Sequence, residues 1–401
     1  MLSTLGTRLE RQSGLGSVVL IAGFLIFARN PLFLLEPRIW AEEGSIYLAN
    51  VFESGEFFAL LHPHLGYYSL FNNLVVSAGV ILLPLEYLAF ITTGFSALLQ
   101  LCTSIVIYES DGRLGDSKFQ RLLNSLLPFL LGTPEVWLNT INCQFWLATG
   151  TFFILNSRHI NRFQVIYLAM AFMTGVSSLF FLPFFAIRLF KEKSSSLKSV
   201  AILGTVALAL QASAFLSYIQ NGSSGRFKAE LFGNFAPGIA RTINVSYASN
   251  FAQVAFSIVA LVGVFYFLRS SLLGRDFFGI LYTLGALSTY VLLTVFASLN
   301  MYGGGRYALP SYCGIFAIVV SAIARKKNSK NLAMPFIRFL VALLLILKLK
   351  TFFSTSNFYS AEWPIWQIQL RERSCETPVD IKIFPPGWTV HIPPRSGLEC
   401  M

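Results

Sequence analysis

Long apolar runs separated by short polar connectors make up most of the chain. A helix needs about 20 apolar residues to cross the hydrocarbon of a bilayer. Runs of that kind recur near 17–35, 87–108, 119–134, 143–157, 163–175, 177–190, 199–219, 251–268, 276–298, 307–324 and 334–352. A further apolar stretch, 66–84, carries Asn72 and Asn73 mid-run and follows the turn His62-Pro63-His64. It is read as interfacial or re-entrant, not as a span. The pattern predicts an all-α polytopic membrane protein with about eleven transmembrane helices, in a range of about ten to twelve. One membrane domain, 1–352, is expected to carry two long outer loops, 36–86 and 220–250, and a small tail, 353–401. In the tail, residues 379–384 alternate apolar with polar and run into Pro385-Pro386-Gly387-Trp388. That predicts a short strand and a turn.

Composition agrees with the pattern. The 401 residues are 55% hydrophobic and 12% charged, about half the charge of a soluble domain. Too little polar surface remains to cover a soluble fold. In a soluble protein the net charge of +11 would suggest nucleic acid. Here the basic residues cluster in the connectors 158–162, 188–198, 269–275 and 325–330, where they set topology, and no nucleic-acid partner is expected. With those connectors in the cytoplasm, the N-terminus is cytoplasmic and the C-terminus extracytoplasmic, in a bacterial cytoplasmic membrane. The first apolar run follows Arg8 and Arg11 without a small-residue cleavage site, and reads as a retained span. Cys375 and Cys400 share the tail, where a disulfide and two free thiols are both open.

Three stretches carry candidate chemistry. In Trp40-Ala41-Glu42-Glu43-Gly44, two carboxylates follow the first span directly. Acidic groups beside hydrocarbon are costly without a partner or a task. Either carboxylate is a candidate general base, and acidic capping of a short surface helix is equally open. A second acidic site is Glu135, followed by Asn139, Asn142 and Gln144. The third stretch is Tyr302-Gly303-Gly304-Gly305-Arg306-Tyr307. Its glycines allow close backbone approach, and Arg306 is an anion-binding candidate with phosphate as the natural partner. No Gly-Lys-Ser/Thr follows, which excludes a nucleotide P-loop. His62 and His64 are weak as metal ligands and fit polar lining better. Arg226, Lys228 and Arg241 put positive charge on the outer side against the topology rule, which points to an anionic, membrane-borne substrate.

Glu42-Glu43 after the first span, Glu135 with Asn142 and Trp146, and Gly304-Gly305-Arg306-Tyr307 together resemble the GT-C class of polyprenyl-phosphate-sugar-dependent glycosyltransferases. The likeness is to a group of bacterial GT-C-like membrane proteins. The resemblance implies interfacial helices in the first outer loop and an inverting transfer from a polyprenyl-phosphate sugar to a glycan or lipid-linked acceptor. Glu43 or Glu42 would be the base, and Arg306, with Arg241, would hold the phosphate. Tyr307, His62, His64 and Asn142 would line the site. Some members use a divalent cation, which would put magnesium or manganese on Glu43 and Glu135. The group usually has Asp where this chain has Glu43. Two other classes share the membrane setting. A lipid-sugar flippase or polysaccharide transporter would want inverted repeats and charges at mid-membrane. The main such charge here is Arg29, and no repeat is evident. An O-antigen-type polymerase would share the lipid-linked substrate.

Overall fold

The computed structural model describes residues 2–220, 229–245, 249–274, 276–325, 333–354, 365–372 and 377–394. The chain is mostly helical. Among the described residues, five helices are long and apolar enough to cross a membrane: Leu85–Glu109, Ser195–Gln220, Asn250–Leu273, Phe277–Ala297 and Gly305–Ala324. Large apolar side chains such as Leu208, Leu216, Val254, Leu261 and Phe265 face outward from them, as lipid-facing helices require. Shorter apolar helices are Gly14–Arg29, Leu70–Leu82, Cys143–Leu155 and Arg162–Met173, and Ala333–Ser354 is a further helix of 22 residues.

The expected spans at 119–134, 143–157, 163–175 and 177–190 are helices of 14, 13, 12 and 11 residues. Several have definite stops. Capping boxes at Ser117 and Asn161 start two of them. Gly175, at φ +74, turns the chain where a Cβ would strike the Gln144 side chain. Helix Cys143–Leu155 is buried at every position but Gln144, as a helix apolar on all sides should be. It packs against Leu88–Glu109, Arg162–Met173 and Leu309–Arg325. The 66–84 stretch contains helix Leu70–Leu82, 13 residues long. At 1.5 Å per residue that is about 20 Å, short of a hydrocarbon core of about 30 Å. Its mid-run Asn73 donates to the carbonyls of Leu60 and His62, holding the His-Pro-His turn.

Charge separates the two ends of the bundle. At one end Arg158 pairs with Asp116 (2.7 Å) and Arg113 with Asp276 (3.1 Å). There Arg188 bonds Glu192 and the carbonyls of Ile154, Leu155 and Arg158. Connectors 158–162 and 188–198 and the start of the helix after 269–275 therefore share one face. The acidic loop, Glu135 and the Gly-rich turn lie at the other. Arg29 ends its helix near that second face. Its guanidinium lies 4.4 Å from the Trp137 ring and 4.9 Å from the Phe352 ring, a desolvated cation–π arrangement.

The tail is folded onto the first loop. Strand β1 (Val379–Ile383) pairs antiparallel with β2 (Trp388–Ile392) through the turn at Pro385-Pro386-Gly387, matching the strand and turn expected there. Ile381, Ile383, Val390 and Ile392 share a small core with Ile39, Tyr47, Leu48 and Val51 of the first loop and with Trp366 and Leu370. Trp366 also donates its indole N–H to the Leu85 carbonyl. The described part of the tail thus shares its core with the acidic loop. Arg226, Lys228, Cys375, Cys400 and residues 326–330 of the last basic connector lie outside the described residues.

Candidate functional site

At the acidic end, a cavity of about 260 Å³ opens between the first loop, the central helix Cys143–Leu155 and the Gly-rich turn. Glu42 and Tyr47 line one wall. His64 and Tyr67 come from the turn ahead of helix Leu70–Leu82. Asn142, Gln144 and Phe145 come from the start of the central helix, and Arg306 and Tyr307 from the Gly-rich turn. Phe180, Phe215 and Phe296 supply an apolar side. A concave, largely apolar site with a few convergent polar groups is the usual form of a small-molecule pocket.

The adjacent carboxylates part company because of local helix geometry. Successive residues on a helix point about 100° apart, so Glu42 and Glu43 face different ways. The chain forms a π-helical segment at Glu43–Leu48, a distortion that concentrates at functional sites. Glu42 turns to the cavity. Glu43 turns inward and is 1% exposed. Its Oε1 accepts from the Thr140 N–H (2.5 Å) and hydroxyl (2.7 Å), and its Oε2 accepts from the Trp40 N–H (2.9 Å). Burial pushes the Glu43 carboxyl up to about 7; the three hydrogen bonds oppose that rise, and the Glu42 charge adds to it. Glu43 is therefore a clasp between the first loop and the 133–142 loop. The Glu42 carboxylate accepts no hydrogen bond among the described residues.

The 133–142 loop is pinned by its own amides. Asn139 and Asn142 both donate to the Glu135 carbonyl, at 2.8 and 2.6 Å. Trp146 donates its indole N–H to the Val136 carbonyl at 2.8 Å. The Gly-rich turn is tied to helix Phe235–Ile243. The Thr242 hydroxyl accepts from the Gly304 N–H (2.9 Å) and donates to the Gly238 carbonyl (2.8 Å). Met301 (φ +52) and Gly303 (φ +58) both take left-handed backbone, which the surrounding bonds must hold. A Cβ at Gly303 would sit 2.6 Å from the Gly238 carbonyl oxygen. The result aims Arg306 at the cavity, where the carboxylates of Glu42 and Glu135 both act on it electrostatically.

Of the residues singled out by sequence, Glu42, His64, Asn142, Gln144, Arg306 and Tyr307 meet in this cavity. Glu43, Glu135, Arg241 and His62 do not line it. Glu43 is used by its clasp. Glu135 is exposed beside the Gly-rich turn, with its Oε2 3.5 Å from where a Gly305 Cβ would lie. Arg241 is exposed and stacks on Tyr302 at 4.4 Å. His62 is exposed. A cation held by Glu43 and Glu135 does not fit this donor set, because both Glu43 oxygens already take N–H or O–H donors. Among the described residues no group of three or more His, Cys, Asp and Glu side chains is placed to hold a metal ion. Thr140 and Thr242, which hold the two loops, and Ser177, which lines the cavity, carry no signal in the sequence. Single hydroxyls in apolar or loop sequence carry no distinguishing pattern.

In comparisons with known proteins, no family model matches the chain, and no curated protein matches it.

Proposed function

We propose that this chain is an inverting glycosyltransferase of the GT-C kind. It takes a sugar from a polyprenyl-phosphate donor and passes it to a glycan or lipid-linked acceptor on the extracytoplasmic side of a bacterial cytoplasmic membrane. A cytoplasmic N-terminus and an outward tail belong to the same reading. One observation carries it: Glu42 of the first loop and Arg306 of the Gly-rich turn converge, from distant parts of the sequence, on one cavity with an apolar side. In this scheme Arg306 holds the donor phosphate, and the free Glu42 carboxylate takes the proton of an acceptor hydroxyl. The acceptor oxygen bonds the anomeric carbon as that carbon's bond to the phosphate oxygen breaks. The lipid phosphate leaves with the electron pair, beside a guanidinium suited to a phosphate dianion. Glu43 takes no proton in this scheme and acts by holding Glu42 and the 133–142 loop in register.

The test is transfer of radiolabelled sugar from polyprenyl phosphate in membranes containing Glu42→Gln at wild-type protein level. Loss of transfer by at least about a hundredfold is expected for removal of a general base. Transfer at near wild-type rate would remove Glu42 from the chemistry.

A further inference from the structure

The segment that carries Glu42 is gripped on both sides by the C-terminal hairpin. On the N-terminal side, the Ala41 N–H donates to the Phe384 carbonyl (2.6 Å) and the Phe384 N–H donates to the Ile39 carbonyl (2.9 Å). Phe384 is 1% exposed. Its ring meets Trp40 edge-on at 4.7 Å and Phe33 edge-on at 6.3 Å. On the C-terminal side, a Cβ on Gly44 would reach Ile383 of β1 at 2.7 Å and Val390 of β2 at 3.4 Å. Neither Phe384 nor any other hairpin residue lines the cavity. The backbone before and after Glu42 therefore rests on a structure drawn from the other end of the chain, while the substrate-facing wall is made without it.

We propose that the C-terminal hairpin is a working part of the site and that Phe384 is a positioning residue, fixing the direction in which Glu42 enters the cavity. The catalytic part of this inference rests on the glycosyltransferase reading above; the geometric part does not. A two-way backbone bridge plus an edge-on aromatic contact defines the path of residues 39–41. A base displaced by about an ångström loses on the order of a hundredfold in rate while binding is spared.

The test uses the full chain, solubilised and checked for monodispersity, with Phe384→Ala and the milder Phe384→Leu. The first readout is steady-state transfer from polyprenyl-phosphate sugar. Phe384→Ala should lower kcat by about ten- to a hundredfold with donor KM within about twofold, and Phe384→Leu should recover most of the loss. The second readout needs no turnover. The thiol introduced by Glu42→Cys is labelled with a maleimide, with Phe384 intact and replaced, and the replacement should change the labelling rate by about tenfold. If Phe384→Ala does not accumulate, both readouts are taken on Phe384→Leu, which should then show smaller shifts in the same directions. A labelling shift, where the chain with Glu42 and Phe384 both intact transfers no sugar, would sink the glycosyltransferase reading and leave the positioning role standing. Unchanged labelling and unchanged kcat in a folded variant would overturn the proposal, as would a rise in KM with kcat intact.

Discussion

Replacing Glu43 by Gln separates the clasp from the chemistry, and its effect should depend on pH with a definite sign. The Glu43 carboxyl is raised from an ordinary 4.5 to about 7. A tenfold change in proton affinity is about 1.4 kcal/mol, so ionising this group in the folded chain costs about 3 kcal/mol more than in the unfolded one. Below about pH 4.5 the group is protonated in both states and that cost is absent. Between about 4.5 and 7 the unfolded chain releases the proton while the folded chain keeps it, so stability falls as pH rises; above about 7 the loss is complete. Gln stays neutral throughout, but its amide N–H₂ faces the Trp40 N–H in place of an acceptor, at about 1–2 kcal/mol. Apparent Tm of the purified protein, measured from pH 5 to pH 8, should therefore show two lines of different slope. Glu43→Gln should melt below wild type at pH 5, and the gap should close or reverse by pH 8, a relative change on the order of 5 °C. Parallel lines would refute the reasoning, since they would mean that Glu43 is ionised in the folded chain across the range, as it is in the unfolded one. Sugar transfer by Glu43→Gln should be reduced but measurable, in contrast to Glu42→Gln.

Arg306→Gln should lower kcat/KM for the lipid-phosphate donor by about ten- to a hundredfold, the worth of a charge-assisted bond to phosphate, and Arg306→Lys should recover part of it; donor titrations read both. Gly303→Ala should destabilise by about 2 kcal/mol or more, because left-handed backbone and a methyl 2.6 Å from the Gly238 carbonyl act together. Gly233→Ala, whose methyl meets nothing within 4 Å, is the matched control in the same melting assay and should change little.

The helical character and the outward-facing apolar side chains were legible because they rest on composition and run length, which need no knowledge of tertiary contacts. The strand and turn at the tail were legible for a similar reason: alternation and Pro-Pro-Gly are local signals. Span counting was less so. The runs 119–134, 143–157, 163–175 and 177–190 end close to where the helices end, but those helices have only 14, 13, 12 and 11 residues, fewer than the about 20 that a crossing needs. At the site, residue types pointed to loops that meet at the cavity but not to which side chains face it. Glu42 and Glu43 are chemically alike and adjacent, and only the helical phase around the π segment decides which faces the cavity and which is buried. Arg241 fails for another reason: Tyr302, beside the Gly-rich turn, offers its guanidinium a ring at 4.4 Å, and no sequence rule ranks that against an empty cavity. Least legible was the hairpin's contact with residues 39–44, a pairing between opposite ends of the chain. The same ordering explains how the site is built. The groups aimed at the cavity sit on turns that would not hold their shape alone, and what holds them is Glu43, Thr242 and Phe384, side chains that never face the cavity. Changes at those three positions should therefore alter rate and pH response while leaving the cavity's lining unchanged, which is the behaviour that separates a positioned site from a merely polar hollow.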